Sequence, residues 1–295
     1  MTGEQLDLFA VTKPPAERPT DLGPAAVTYV DAKTVLTPAT GFMENYDFTL
    51  NPYSGCGFGC EYCYARFFAP SEHERDTWGQ WVKVKENAID VIRRAARSKG
   101  KHPLARGSKI YMSSVTDPYQ PIEKRLRLTR RILEVLVEFQ PRLTVQTRSP
   151  IVTRDIDLLS RFERVRVNMT IPTDNEATRL RYEPHCPSID VRFEAIREVR
   201  DAGIPIGVSI SPMLPLRDPR RFGERLATLD AAEYVSQFMK GNRSRFRAGS
   251  TIDALRKMRE DRWDTDNYDR ARDCVQHALG SRPLLESEDG YRPAE

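Results

Sequence analysis

Cys56, Cys60 and Cys63 stand in a C-x3-C-x2-C pattern on one short stretch of chain. Thiolates so spaced suit a soft or borderline metal. Three of them are one ligand fewer than a closed tetrahedral zinc site or an iron–sulfur cubane takes. A loop with one ligand missing leaves a coordination position for something other than protein. Other chemistries compete for the same residues. A chain of 295 residues with five cysteines and no apolar leader reads as cytosolic and reduced, which argues against disulfides. A zinc knuckle completed by His73 or His102 fits a Cys3His set, although zinc cysteines usually come as two separated pairs. Inert, buried cysteines are not expected beside Gly55, Gly57 and Gly59, where backbone must approach something closely.

Flanking motifs extend the pattern: Asn51, Pro52 and Tyr53 before it, Tyr64, Ala65 and Arg66 after it, and the stretch from Ser114 through Thr116, Asp117 and Tyr119 to Gln120. Together they resemble the radical S-adenosylmethionine (SAM) superfamily, and within it the spore photoproduct lyase-like branch, over about residues 40–215. The resemblance implies that Cys56, Cys60 and Cys63 hold three irons of a [4Fe–4S] cluster, with SAM on the fourth through its amino and carboxylate groups. It further implies reductive cleavage of SAM to a 5′-deoxyadenosyl radical that abstracts hydrogen from a substrate, with the electron supplied by a donor such as flavodoxin or ferredoxin. The protein's part in such chemistry is placement and exclusion of water. Tyr62 occupies the family position that packs near the adenine, and Phe58 and Tyr64 are placed to wall the cluster, burial being one control on its potential. Plain loop packing is the other reading of each ring. One position departs from the family. The lyase that gives the branch its name returns a hydrogen atom from a cysteine just after the second strand, where this chain has Ser114, whose O–H bond is too strong for that task. Cys186, with His185 beside it, is the candidate replacement donor, against an ordinary loop cysteine. Cys274, in a helical stretch at 268–279, reads as a buried small residue.

Side chains at such spacing act only if regular elements hold them. Short β-branched runs at 109–113, 143–146, 165–171 and 206–210 read as strands. Amphipathic stretches at 86–98, 125–139, 154–162 and 189–202 read as helices between them, the last stopped by Gly203 and Pro205. Strand–helix–strand repeats make an α/β chain with parallel strands, and the family resemblance makes it a partial (β/α)6 TIM-type barrel. The expected division is a flexible tail over 1–35, the barrel over 36–240 and a helical extension and tail over 241–295, loose after about Ser281. Active groups of such barrels sit at the carboxyl ends of the strands. By the resemblance, Thr116 contacts the amino-acid end of SAM, against the alternative that Asp117 and Pro118 simply start a turn. Arg148 reaches the cofactor carboxylate, for which a guanidinium is well shaped. Asn168 and Thr170 reach ribose or carboxylate oxygens, Glu183 lies near the cofactor unless it is an exposed loop carboxylate, and Ser209, with Ser211, lies at the adenine edge.

Charge excludes little. The net +4 comes from 46 basic and 42 acidic residues, a balance that neither requires nor forbids nucleic acid. No run of eighteen apolar residues exists, so no membrane span is expected and the location read is cytoplasmic. Gln5, Leu6, Leu8 and Phe9 resemble the pentapeptide by which bacterial polymerases and repair proteins dock on the replication sliding clamp, a short peptide with apolar anchors; that partner implies DNA as substrate. Lys240, Arg243, Arg245 and Arg247 around Phe246 suit a phosphate backbone and a stacked base. Nearby Glu260, Asp261, Asp264 and Asp266 allow a solvated, ion-paired surface instead. The reading is therefore a radical SAM enzyme on nucleic acid, in DNA repair. Its rivals are a small-molecule or peptide substrate, or a non-catalytic cluster-bearing binding or electron-transfer protein. Against the last, a pure electron carrier is expected to ligate all four irons.

Overall fold

The computed structural model describes residues 12–15, 17–98, 104–239 and 250–295. The β-branched runs become strands β1 (Phe48–Leu50), β2 (Lys109–Met112), β3 (Arg142–Thr147), β4 (Val165–Thr170), β5 (Ile206–Ile210) and β6 (Glu233–Ser236). Each pairs in parallel with the next in chain order. A seventh strand, β7 (Leu284–Glu286), adds in parallel to β6, and Leu36–Pro38 lies antiparallel along β1. The two edges of this eight-stranded sheet do not pair, so the barrel stays open along one side.

Successive strand residues point to opposite faces. Ile110, Leu143, Val145, Val167, Val208 and Ile210 form one face, buried in a single apolar core with Ile132, Leu136, Phe193 and Ile196 of the surrounding helices. Removal of each such side chain from water contributes ~1.5–3 kcal/mol. The opposite face carries Thr144, Gln146, Arg166, Asn168, Thr170 and Ser209 into the lumen, where Gln146 donates to Thr170, Arg166 to Asn168 and Tyr46 to Thr144. The longer helices among the described residues are α1 (Ala88–Arg97), α2 (Leu128–Phe139), α3 (Glu176–Tyr182), α4 (Ile189–Asp201), α5 (Pro219–Ala227), α6 (Ile252–Glu260) and α7 (Thr265–Leu279). Side-chain caps start five of them: Asn175, Ser188, Asp218, Thr251 and Asp264 each accept a first-turn N–H.

Several elements differ from their sequence expectation. The helix expected over 154–162 is a 3-10 segment, Pro150–Asp155, with a single turn at Ile156–Leu159. The buried Asp155 carboxylate holds Arg154 at 2.7 Å and Arg130 at 3.0 Å, and the chain winds tightly around that cluster. The helix expected over 125–139 is split into a single turn, Glu123–Leu126, and α2, because Arg127 turns left-handed at φ 51° and the buried Glu123 carboxylate accepts Thr129 N–H at 2.9 Å. Past Ser281 the chain is built into the barrel instead of hanging loose. Gly290 lies so close to Val235 that a Cβ would stand 2.4 Å from its Cγ2, and Arg142 Nε donates to Ala294 C=O at 2.7 Å. Cys274 is exposed on α7, contrary to the buried position expected of it.

A second sheet, ordered Asp21–Leu22, Ala25–Val30, Trp81–Lys85 and Tyr53–Gly55, leads into the cysteine loop. Among the described residues no helix is long and apolar enough to cross a membrane. Residues 5–9 and the basic run 240–247 lie outside the described residues. Thr12 is anchored on α2, its N–H donating to Glu134 at 2.6 Å and its carbonyl accepting from Arg131 at 3.0 Å.

Candidate active site

The cysteine loop is held from three directions at the carboxyl ends of the strands. Asn51, leaving β1, accepts from Ser114 N–H and Val115 N–H, both at 3.1 Å, which ties the exits of β1 and β2 together. Thr116 Oγ1 donates to Gly55 C=O at 2.6 Å, and Gln120 accepts Gly57 N–H at 2.8 Å. Gly59 meets Gly79 backbone to backbone: a Cβ on Gly79 would stand 2.8 Å from Gly59 Cα, and both have positive φ, 55° and 97°. Only glycine fits such a contact at such angles. Gly59 thus serves the loop's own fold.

Cys56 and Cys60 are buried and Cys63 is half-buried, and all five cysteines are free thiols. Burial pushes the Cys56 thiol well up and that of Cys63 up to about 11. Cys60 shifts the other way: the hydrogen bond from Cys186, with the nearby Arg148 cation, outweighs burial and favours its thiolate. A metal that takes these sulfurs releases protons from at least two of them. Three thiols on one braced loop, with one guanidinium touching a sulfur, are a donor set suited to iron–sulfur ligation. The zinc-knuckle alternative loses its described histidine, since His73 is exposed on the short helix Glu72–Asp76. Among the described residues the one tight group of potential metal ligands is Cys60, Glu183 and Cys186.

A buried charge network backs the loop. Arg148, at the end of β3, has its backbone N–H fixed by Asp117 at 2.9 Å, and Thr147 binds the same carboxylate at 2.7 Å. Its Nη1 donates to Cys60 Sγ at 3.1 Å, to Tyr62 Oη at 2.9 Å and to the Glu183 carboxylate. Glu183 is fully buried, and also accepts from Tyr62 and from Arg192 at 2.6 Å. Burial alone would raise its pKa; Arg192 and Arg148 reverse this and hold it below the ordinary carboxylate range. Arg192 also donates to Thr170 C=O at 3.1 Å, and Arg179 clasps Glu183 C=O and Cys186 C=O at 3.0 and 2.9 Å. Cys186 Sγ lies 3.5 Å from Cys60 Sγ. Two cations against one carboxylate leave a local positive excess for thiolates or an anionic ligand.

Of the residues singled out in the sequence, Tyr62, Arg148, Glu183 and Cys186 come together around Cys60, and Thr116 braces the loop from beneath. Thr170 accepts from Gln146 at 2.7 Å, Asn168 accepts from Arg166 at 3.0 Å deeper in the lumen, and Ser209 shares a 2.8 Å hydrogen bond with Tyr291. Three contributors escaped sequence reasoning. Arg192 had a signal, an arginine inside the apolar stripe Ile189, Phe193, Ile196 and Val199 of α4. Arg179 and Tyr291 had none: Arg179 clasps backbone carbonyls 4 and 7 residues on in an irregular loop, and Tyr291 meets Ser209 across 82 residues of chain.

The sequence profile described as Radical SAM superfamily matches residues 50–227. An uncharacterized protein of Methanocaldococcus jannaschii is 40% identical over 186 residues, 63% of this chain and 67% of that protein. A protein of Pseudomonas phage M6 named radical SAM Nalpha-GlyT isomerase is 26% identical over 198 residues, 65% of this chain but 39% of its own length. A spore photoproduct lyase variant, solved with AdoMet and dinucleoside spore photoproduct bound, matches the fold with TM-score 0.57 at 14% identity, over 89% of this chain and 81% of that one.

Proposed function

The chain belongs to the radical SAM superfamily, and from that premise we propose that it is a radical enzyme acting on nucleic acid, in repair of a DNA lesion. Superfamily membership brings an iron–sulfur cluster and SAM; the reading here is that Cys56, Cys60 and Cys63 ligate a [4Fe–4S] cluster with one iron left open. SAM bound at the reduced cluster supplies hydrogen abstraction from an unactivated carbon.

The residues of this chain bind, orient and exclude water. Among the described residues Arg148 spends Nη1 on Cys60, Tyr62 and Glu183 and keeps Nη2 free for a carboxylate. Glu183 and Arg192 fix that guanidinium, Tyr62 covers it, and Thr116 fixes the loop's height through Gly55. Asn168, Thr170 and Ser209, already bonded in the lumen, hold the wall behind the site. Ser114 is read at the position of the lyase's hydrogen-donating thiol, and Cys186 as the donor in its place. The observation that carries the reading is Arg148 fixed between a cysteine sulfur and a buried carboxylate.

Nucleic acid as substrate is supported by the dinucleoside bound in the matching lyase structure. The peptide Gln5, Leu6, Leu8 and Phe9 is read as a tether to the replication sliding clamp, and Leu8→Ala with Phe9→Ala is expected to abolish clamp binding in surface plasmon resonance. The functional test is 5′-deoxyadenosine formation by anaerobically reconstituted, reduced protein. Product that rises with ultraviolet-irradiated DNA supports the reading; product indifferent to DNA removes the substrate while leaving the radical chemistry.

A further inference from the structure

Directly after Cys63 the chain makes a 3-10 turn, Tyr64–Phe68. Among the described residues five large hydrophobic side chains are exposed, and the two aromatic ones, Tyr64 at 47% and Phe68 at 63%, both stand on this turn. Their rings meet edge to face, centroids 6.3 Å apart at 80°. The Tyr64 hydroxyl donates to Ser114 C=O, which fixes the pair at the rim where β2 ends, beside the cysteine loop. Between them in sequence, the Arg66 side chain makes no hydrogen bond or ion pair among the described residues, and its Nε is buried without a partner. Single exposed rings need no explanation. Two rings and an unpaired guanidinium within five residues, at the rim of a catalytic centre, do.

We propose that this turn is a nucleotide ledge: Phe68, steadied by Tyr64, stacks on a base of an incoming strand, and Arg66 takes the adjoining phosphate. The inference rests on nucleic acid being the substrate class. Aromatic rings accept any base because every base has a π face, and chemistry on a base requires it to leave the stack first. A ledge beside the centre receives such a base, and the free cation matches the charge of its backbone.

Binding of a labelled oligothymidylate and of an abasic strand of equal length, each to the cluster-loaded full chain, separates the parts. Phe68→Ala should weaken oligothymidylate binding on the order of 10-fold and leave abasic binding unchanged, with cluster absorbance as the folding control. Arg66→Gln should weaken both strands and reduce the slope of log affinity against log salt by about 0.7. Phe68→Trp should retain affinity and show fluorescence quenched by the oligonucleotide. Wild-type affinity in Phe68→Ala, or unquenched Trp at saturation, overturns the ledge while the substrate class stands. A wild-type protein that binds neither strand overturns the substrate class and the ledge with it.

Discussion

The two sides of the cysteine loop are built in opposite ways. On the Cys60 side, Tyr62, Arg148, Glu183 and Arg192 form a buried network in which one carboxylate is shared by a phenol and two guanidiniums. On the Cys63 side, Tyr64 and Phe68 are exposed to solvent, and the half-buried Arg66 side chain has no hydrogen-bond or ion-pair partner among the described residues. Buried charges must be paired where they sit, so the first side is held in place before any ligand arrives, with Arg148 Nη2 left to meet one. The second keeps its rings and its cation unspent, which suits a partner that comes and goes. A small charged cofactor needs the first arrangement, and a long, exchangeable substrate needs the second.

Substitutions that collapse this contrast can be ranked. Cys63→Ala has the largest expected effect: the cluster and all 5′-deoxyadenosine formation are lost, as followed by visible absorbance, iron content and chromatography. Glu183→Gln comes next, because it leaves Arg148 and Arg192 buried without their shared anion. A loss of about 3–5 kcal/mol is expected when one partner of a buried pair is removed, read as a lower urea midpoint together with weaker SAM binding. Gly79→Ala should cost on the order of 1–3 kcal/mol from its positive φ alone, and more because its Cβ would press on Gly59; reconstituted cluster yield should fall while the barrel's circular dichroism persists. Tyr291→Phe should show the smallest effect, about 1 kcal/mol for the hydrogen bond to Ser209, measured by thermal unfolding, with the Cys63 side untouched.

How much of this was legible in sequence differs between the same two sides. The triplet, its glycines and the strands at 165–171 and 206–210 could be read because spacing and period are local. Arg148 and Glu183 were legible only through family resemblance, and nothing local says that they meet at one oxygen. Arg192 interrupts an apolar stripe, a visible anomaly whose meaning needs the partner 9 residues upstream. The residues after Ser281 look loose because they are polar and contain Pro283 and Pro293. Their order comes from the lumen they enter, where Tyr291 tolerates φ 55° against Phe42 and Ser209. Likewise the short 3-10 segment at Pro150–Asp155 reflects a tertiary charge cluster that overrode helical periodicity.

The decisive measurement is the electron paramagnetic resonance spectrum of the reduced, reconstituted protein before and after SAM is added. A cluster held by Cys56, Cys60 and Cys63 alone, with one iron open, should give a [4Fe–4S] signal that SAM changes, with 5′-deoxyadenosine appearing as the signal decays. An intact [4Fe–4S] signal that SAM leaves unaltered, with no product, would mean that the protein itself fills the fourth position and that the centre does not perform radical chemistry.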